Sequence, residues 1–462
     1  MIDRVTFTAM SFVFGSHASA ALAVHPDFTQ AFGSCRLQSI EPCAMLSEST
    51  NASMWRRRVV RLGSRIVAQP VLNRCVFTKL STGFVVLVEN ATLSVFNTSF
   101  ISNTPLVSLM EIRHSVVEMA DSDVNANDSL FHQIVVSSLF GRTIVRILNC
   151  RFTNNTASSG SAFVSLGDSD VAIKDTSFIH NWVQPKPPAP DLQELAGVIV
   201  IQHVETLLTH MSKFELIRCT FRENFAPYAS ALLITGVVTA EITKYVDQSH
   251  SQASKQASKQ ASKHTSNSSC LTRCAVWCLF DSCTISHNVA RTRSVVLLPK
   301  NSTISISGST FTEGFGGCLM AQPPLSIESS VFEHCGGRHL AGGAILMQSG
   351  SQAGVLALSN VHFYNNTARS GGAVALETLT AVPIIAQIDR CKFINNTASI
   401  FGGALTAISS VQMTLTNSEF MYVGSRVRSC CLLLADTRAT ITTARTRRSW
   451  ETAAQCSWLL FT

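Results

Sequence analysis

Two stretches of this chain are copies of one another. Asn360–Leu376 reads NVHFYNNTARSGGAVAL, and Arg390–Ile408 reads RCKFINNTASIFGGALTAI. Phe363 matches Phe393, Asn365–Asn366 matches Asn395–Asn396, and Gly371–Gly372–Ala373 matches Gly402–Gly403–Ala404. An echo at a fixed period constrains a fold more than composition does, because each unit can bury its apolar face only against the next.

The phenylalanines extend the register. The pattern polar–small–x–Phe–x–x–Asn places anchors at Phe77, Phe100, Phe152, Phe178, Phe221, Phe311, Phe332, Phe363, Phe393 and Phe420, with Val124 and Ile285 as smaller substitutes. Asn follows three residues later at Asn103, Asn127, Asn155, Asn181, Asn224, Asn288, Asn366 and Asn396. Two residues before each anchor stands a small side chain: Cys75, Thr98, Ser122, Cys150, Thr176, Cys219, Cys283, Ser309, Ser330, Val361, Cys391 and Ser418. Residues two apart share a face of a strand, so the small residue and the anchor are expected to point inward. A second short strand follows each anchor, as in Ala162–Leu166, Ala344–Met347 and Ala373–Leu376, and often a third, as in Val355–Ser359. Short strands without a helical period or Asn-Gly and Asp-Gly hairpin turns predict an all-β fold, a parallel β-helix solenoid of about twelve coils. Stacking at ~4.8 Å aligns like with like. Phe becomes a ring ladder, and Asn a turn residue bonded to backbone and to the Asn above and below. The pairs Gly342–Gly343, Gly371–Gly372 and Gly402–Gly403 are expected at a corner that needs positive φ.

Charged residues make up only 14% of the 462 residues, which suits buried parallel strands joined by uncharged polar turns. The net charge of +7 comes largely from Arg56, Arg57, Arg58 and Arg61 and from Arg438, Arg445, Arg447 and Arg448, outside the repeats. No basic stripe interleaved with aromatics runs along the repeats, so nucleic acid is not an expected partner. No stretch is apolar for ~18 residues, so no transmembrane helix is expected.

The repeats are assigned to residues 71–423. Residues 1–24 are a candidate signal peptide, with Arg4 before an apolar run and Ala18–Ser19–Ala20 as the cleavage pattern. Residues 25–70 form an N-terminal segment or cap, with Val59–Val67 as its candidate strand. Residues 424–462 lack an anchor and are expected to be an irregular tail. Pro185–Pro190 reads as a stiff loop. Residues 248–270, with QASK three times over, read as a disordered insertion. Nine N-x-S/T sequons are candidate N-glycosylation sites: Asn51, Asn90, Asn97, Asn127, Asn154, Asn267, Asn301, Asn365 and Asn395.

The recurrence of GGA[ILV] in phase with FxxN resembles the repeats of polymorphic outer membrane proteins. More widely it is similar to pectin-lyase-like right-handed parallel β-helix proteins, which implies a right-handed parallel β-helix here. The resemblance covers roughly residues 71–423 and is sharpest at Phe332, Phe363 and Phe393. It implies a secreted or cell-surface location, adhesive or structural roles, cell-surface glycans or proteins as partners, and no cofactor. Some β-helix relatives cleave polysaccharides with clustered carboxylates. The best acidic clusters here are Asp121/Asp123 and Asp168/Asp170, which also read as turn polarity beside a strand. No catalytic residue and no metal site is assigned. Cys270, Cys274, Cys278 and Cys283 lack a C-x2-C pair, and the 13 histidines show no H-E-x-x-H. The column cysteines read as buried small hydrophobes, with Cys219 and Cys283 close enough for a disulfide if the chain is secreted. The expected function is a non-enzymatic extracellular scaffold for adhesion or ligand binding. The alternatives are a carbohydrate-active enzyme and a fragment of a larger membrane-anchored surface protein. Function is expected where the copies differ: His362, Arg369, the insertions and the outward column.

Overall fold

The computed structural model describes residues 5–8, 58–62, 71–78, 84–105, 108–129, 132–158, 160–184, 197–202, 213–227, 229–235, 276–291, 294–298, 302–322, 324–336, 341–349, 354–378, 382–425, 430–442, 445–447 and 457–461. Among these there is no helix, and neighbouring strands pair in parallel. The fold is an all-β parallel solenoid. The chain forms two compact units: Met1–Phe214 with Thr235–Val276, and Glu215–Ile234 with Trp277–Thr462.

In the first unit the anchor strands Cys75–Thr78, Ser99–Ile101, Asp123–Asn125, Arg151–Thr153 and Ser177–Ile179 lie side by side. Their register sets Phe77, Phe100, Val124, Phe152 and Phe178 opposite one another. In the second unit Thr220–Arg222, Thr284–Ser286, Thr310–Thr312, Val331–Glu333, His362–Tyr364, Lys392–Ile394 and Glu419–Met421 do the same for Phe221 through Phe420. The rings stack face to face. Phe332 and Phe363 have centroids 5.4 Å apart, Phe363 and Phe393 4.8 Å, and Phe393 and Phe420 4.7 Å. These spacings approach the strand spacing, so one backbone register delivers both hydrogen bonds and ring contact.

Each anchor strand is only three or four residues long, because left-handed residues bend the chain on both sides. One stands three before the anchor (Asn97, Asp121, Asn149, Asp175, Ser329, Asn360, Arg390, Asn417), and one two after it (Ser102, Ala126, Asn154, His180, Glu313, His334, Asn365, Asn395). After the second bend come a two- to five-residue strand, such as Thr367–Ser370, the glycine corner, and two longer strands, such as Val374–Thr378 and Ile384–Asp389. The glycine pair divides its work. Gly371 has φ +60°, whereas Gly372 is required because a Cβ there would lie 2.1 Å from the carbonyl oxygen of Gly403 on the next coil. Positive φ therefore explains only the first glycine of the pairs Gly342–Gly343, Gly371–Gly372 and Gly402–Gly403.

Strands also occur at both ends. Arg58–Leu62 pairs with Phe84–Glu89, and Val5–Thr8, within the candidate signal segment, sets Phe7 opposite Phe77. The tail expected to be irregular carries Cys430–Thr442, Arg445–Arg447 and Ser457–Phe461, each in parallel register. Thr446 stands opposite Phe420 there, so the ladder continues without the residue that marks it in the sequence. The insertion at 248–270 lies outside the described residues.

Candidate functional site

The repeated polar residues face inward and are consumed by the fold. All eight column asparagines are buried. Asn127 Nδ2 donates to Asn155 Oδ1 at 3.1 Å, and Asn155 Nδ2 to Asn181 Oδ1 at 3.0 Å. The same amides donate backward to the anchor carbonyls of Phe100 (2.9 Å) and Val124 (2.8 Å). In the second unit Asn224 reaches Asn288 Oδ1 at 2.9 Å, and Asn366 reaches Asn396 Oδ1 at 2.9 Å. The receiving Oδ1 also accepts a backbone N–H, as Asn396 Oδ1 does from Asn366 N at 3.1 Å. Stacked asparagines thus satisfy a buried corner that water does not reach.

The small column is a second ladder. Ser122 Oγ donates to the Ala120 carbonyl at 2.8 Å and accepts the backbone N–H of Thr98 at 3.1 Å. Ser330 and Ser418 repeat this, donating to Glu328 O (2.8 Å) and Thr416 O (2.7 Å) and accepting from Ser309 N and Cys391 N. The column cysteines are therefore more than small hydrophobes. Cys150 Sγ lies 3.3 Å from the Leu148 carbonyl and Cys391 Sγ 3.3 Å from that of Asp389, in the hydroxyl's place. Burial pushes the Cys150 thiol up to about 11 and that of Cys391 to about 12, so both stay protonated as donors. Cys219 and Cys283 are both thiols.

The disulfide falls elsewhere, between Cys318 and Cys335, with Cα atoms 5.5 Å apart. Cys335 occupies the asparagine position of the Phe332 coil, and its backbone N–H still donates to Asn366 Oδ1 at 2.9 Å. Gly314 occupies the same position one coil earlier, where a Cβ would lie 2.5 Å from Cys318 Sγ. The two missing asparagines at Gly314 and Cys335 were the available sequence signal.

The candidate glycosylation sites separate by geometry. Asn90, Asn97, Asn154 and Asn395 are exposed and Asn365 is half-buried, all in the left-handed conformation. Asn395 Nδ2 donates to Asn365 Oδ1 at 2.6 Å. Asn127 belongs to the buried ladder and offers no attachment point in the folded chain. Asn51, Asn267 and Asn301 lie outside the described residues.

The acidic pairs behave differently from one another. Asp121 is exposed and accepts from Asn149 Nδ2 at 2.7 Å. Asp123 stands opposite Arg151 on the outer face of the anchor sheet, a pairing invisible in the sequence. Burial raises its pKa, and Arg151 opposes the rise. Asp170 faces Ile144 across the register, away from the Asp123–Arg151 pair in sequence and strand.

The outward columns of the second unit carry charged, imidazole and aromatic side chains. Glu223, His287, Glu313 and His334 occupy the left-handed position after the anchor on four successive coils. His287 Nε2 and Glu313 Oε2 are 2.8 Å apart, and His334 Nδ1 lies 3.6 Å from Glu333 Oε1. Two residues further along each coil stand Phe225, Val289 and Phe315, bridged in parallel. Phe315 is 59% exposed, and the Arg291 guanidinium lies 5.6 Å from the Phe225 ring centre. Further along the face, Tyr364 OH meets His362 Nδ1 at 3.2 Å, and burial followed by Lys392 lowers the pKa of His362. Arg369 is exposed on its short strand, its carbonyl meeting Ser399 Oγ at 3.5 Å.

Among the described residues no three His, Cys, Asp or Glu side chains converge as a metal-ligand set, and no helix is long and apolar enough to cross a membrane. Cys270 and Cys274 lie outside them. Compared with family models, curated proteins and solved structures, the chain matches none.

Proposed function

We propose that this chain is a non-enzymatic extracellular or cell-surface scaffold that binds glycans along the outward edge of its second unit. The observation that carries this reading is the column Phe225–Val289–Phe315, half-buried at its first two members and exposed at Phe315, running beside Glu223–His287–Glu313–His334. A sugar ring offers an apolar face to an aromatic and a rim of hydroxyls to carboxylate, imidazole and guanidinium groups. A stack at ~4.8 Å repeats that pairing along a line, which suits a chain of repeated sugar units. The Cys318–Cys335 disulfide fits an oxidising compartment. The likeness of the GGA[ILV] and FxxN motifs to polymorphic outer membrane protein repeats supports a surface location. The test is binding to immobilised neutral and acidic polysaccharides. Phe315→Ala should weaken binding at least tenfold while leaving the circular dichroism spectrum unchanged. Binding indifferent to Phe315→Ala and Phe225→Ala removes this edge as the site.

A second reading, a carbohydrate-active enzyme, is favoured by Asp123 alone. Its carboxyl is held toward the protonated form by burial, with a guanidinium opposite, a pairing suited to general acid–base work on an acidic polysaccharide. Release of oligosaccharides from such a polymer, abolished by Asp123→Asn, would establish it. No release from any polymer bound by the chain would exclude it.

A further inference from the structure

The small column brings two cysteines together at one place only. In the second unit it runs Cys219, Cys283, Ser309, Ser330, Val361, Cys391, Ser418, and in the first Cys75, Thr98, Ser122, Cys150, Thr176. Cys219 and Cys283 precede strands that pair in strict register, Thr220 opposite Thr284 and Phe221 opposite Ile285. Neighbours in such a register have Cα atoms about 4.8 Å apart, within the roughly 4.4–6.8 Å span of disulfides. Both side chains are buried on the same inner corner. Cys283 Sγ reaches back to the Leu216 carbonyl at 3.4 Å, just as Cys150 Sγ reaches Met119 O one coil earlier at 3.6 Å. The thiol of Cys283 therefore sits against the coil that carries Cys219.

We propose that Cys219 and Cys283 are a redox pair that closes to a second disulfide, stapling the two coils between which the QASK insertion runs. A staple is useful here. The coils are 64 residues apart at Asn224 and Asn288, against 30 at Asn366 and Asn396, so this pairing carries a larger loop-closure cost than the coils that follow one another directly. The oxidant is a low-molecular-weight disulfide, RSSR. The Cys283 thiolate attacks one sulfur, forming a Cys283–SR mixed disulfide and expelling RS⁻. The Cys219 thiolate then attacks the Cys283 sulfur, expelling the second RS⁻. The two thiol protons leave on the two RSH, and two electrons pass from the protein to the oxidant. The order of attack follows from the environment. The hydrogen bond from Cys219 favours the Cys283 thiolate against the opposing effect of burial, whereas Cys150 and Cys391, beside Ser, Thr or Val, are pushed up. This inference is independent of the glycan-binding reading.

The test equilibrates the full chain with reduced and oxidised glutathione in stepped ratios, once as folded protein and once during refolding from the reduced, denatured state. Samples are then alkylated in denaturant and mapped by mass spectrometry without reduction. The expected result is a Cys219–Cys283 linked peptide, two hydrogens lighter than the sum of its parts, alongside the Cys318–Cys335 link. Cys150 and Cys391 should be fully alkylated. Two results overturn the proposal: both cysteines alkylated in both arms at the most oxidising ratio, or either one stopping at the glutathione mixed disulfide. Running both arms removes burial of the thiols as an explanation for failure.

Discussion

Asn366 donates its side-chain amide to Asn396 Oδ1 across 2.9 Å, one coil further on. Its second amide proton goes to the Phe332 carbonyl at 3.0 Å, and its own Oδ1 accepts the Cys335 backbone N–H at 2.9 Å. One side chain thus links three coils.

Asn366→Ala should therefore cost about 3–5 kcal/mol, since several buried groups lose a partner at roughly 1–3 kcal/mol each. Asn366→Asp is expected to be worse at neutral pH, because a carboxylate would face the Phe332 carbonyl and Asn396 Oδ1. Its folded-state pKa would be raised, so its stability is greatest at acid pH and falls as pH rises through that value. Urea unfolding midpoints at pH 4 and pH 7 check both claims. An Asp variant as stable at pH 7 as at pH 4 would contradict the ladder.

His132 makes the first unit acid-sensitive. Burial lowers its pKa to about 4, opposed by Glu111, and the neutral ring accepts the Gly160 N–H at Nδ1 across 3.4 Å. The unfolded chain takes up a proton near pH 6.5 that the folded chain refuses until about 4. Stability should therefore fall on acidification across that window, by up to about 3 kcal/mol. His132→Gln should flatten this part of the pH profile. An unchanged acid limb in thermal unfolding between pH 4 and 6.5 would refute the assignment.

Corner residues should divide by contact rather than by residue type. Gly372→Ala places a Cβ 2.1 Å from the Gly403 carbonyl oxygen, where only backbone can yield, and should cost about 3 kcal/mol or more. Asn365 sits at an outer corner with φ 54° already tolerated by a side chain, so Asn365→Gly should change stability by less than about 1 kcal/mol. Equal effects in chemical denaturation would mean that φ alone governs the corners.

Phe363, Asn366 and Gly371 were legible in the sequence because stacking makes each coil choose the same residue at the same place, and identical choices show as a repeat. What stayed hidden was of two kinds. The left-handed corners take Asn, Asp, Ser, His, Glu and Arg alike, since they ask only for a tolerated φ and an outward side chain, so no residue type marks them. The Asp123–Arg151 and His287–Glu313 pairs join residues that are distant in sequence, and only the register brings them opposite. The Thr446 coil shows the same limit from the other side, a ladder continued without its marker.

The sharpest test of the interior is an exchange of one solution for another. Gly314 and Cys335 stand where the repeat otherwise has Asn, and Cys318 stands where Ala344, Ala373 and Ala404 follow a glycine pair. The disulfide closes a loop with a sequence separation of 17, which contributes about 3 kcal/mol. It also occupies the space that an asparagine side chain in place of Gly314 would need, with Cys318 Sγ 2.5 Å from a Cβ at that position. Gly314→Asn alone should therefore destabilise the protein and interfere with Cys318–Cys335 pairing. In a Cys318→Ala, Cys335→Asn background the same Gly314→Asn change should be stabilising, because it carries the ladder, already extended from Asn366 to position 335, one coil further. The two effects should differ by more than about 1 kcal/mol in a mutant cycle followed by denaturant unfolding. If Gly314→Asn costs the same in both backgrounds, the disulfide and the missing asparagine are unrelated, and Gly314 has some other cause.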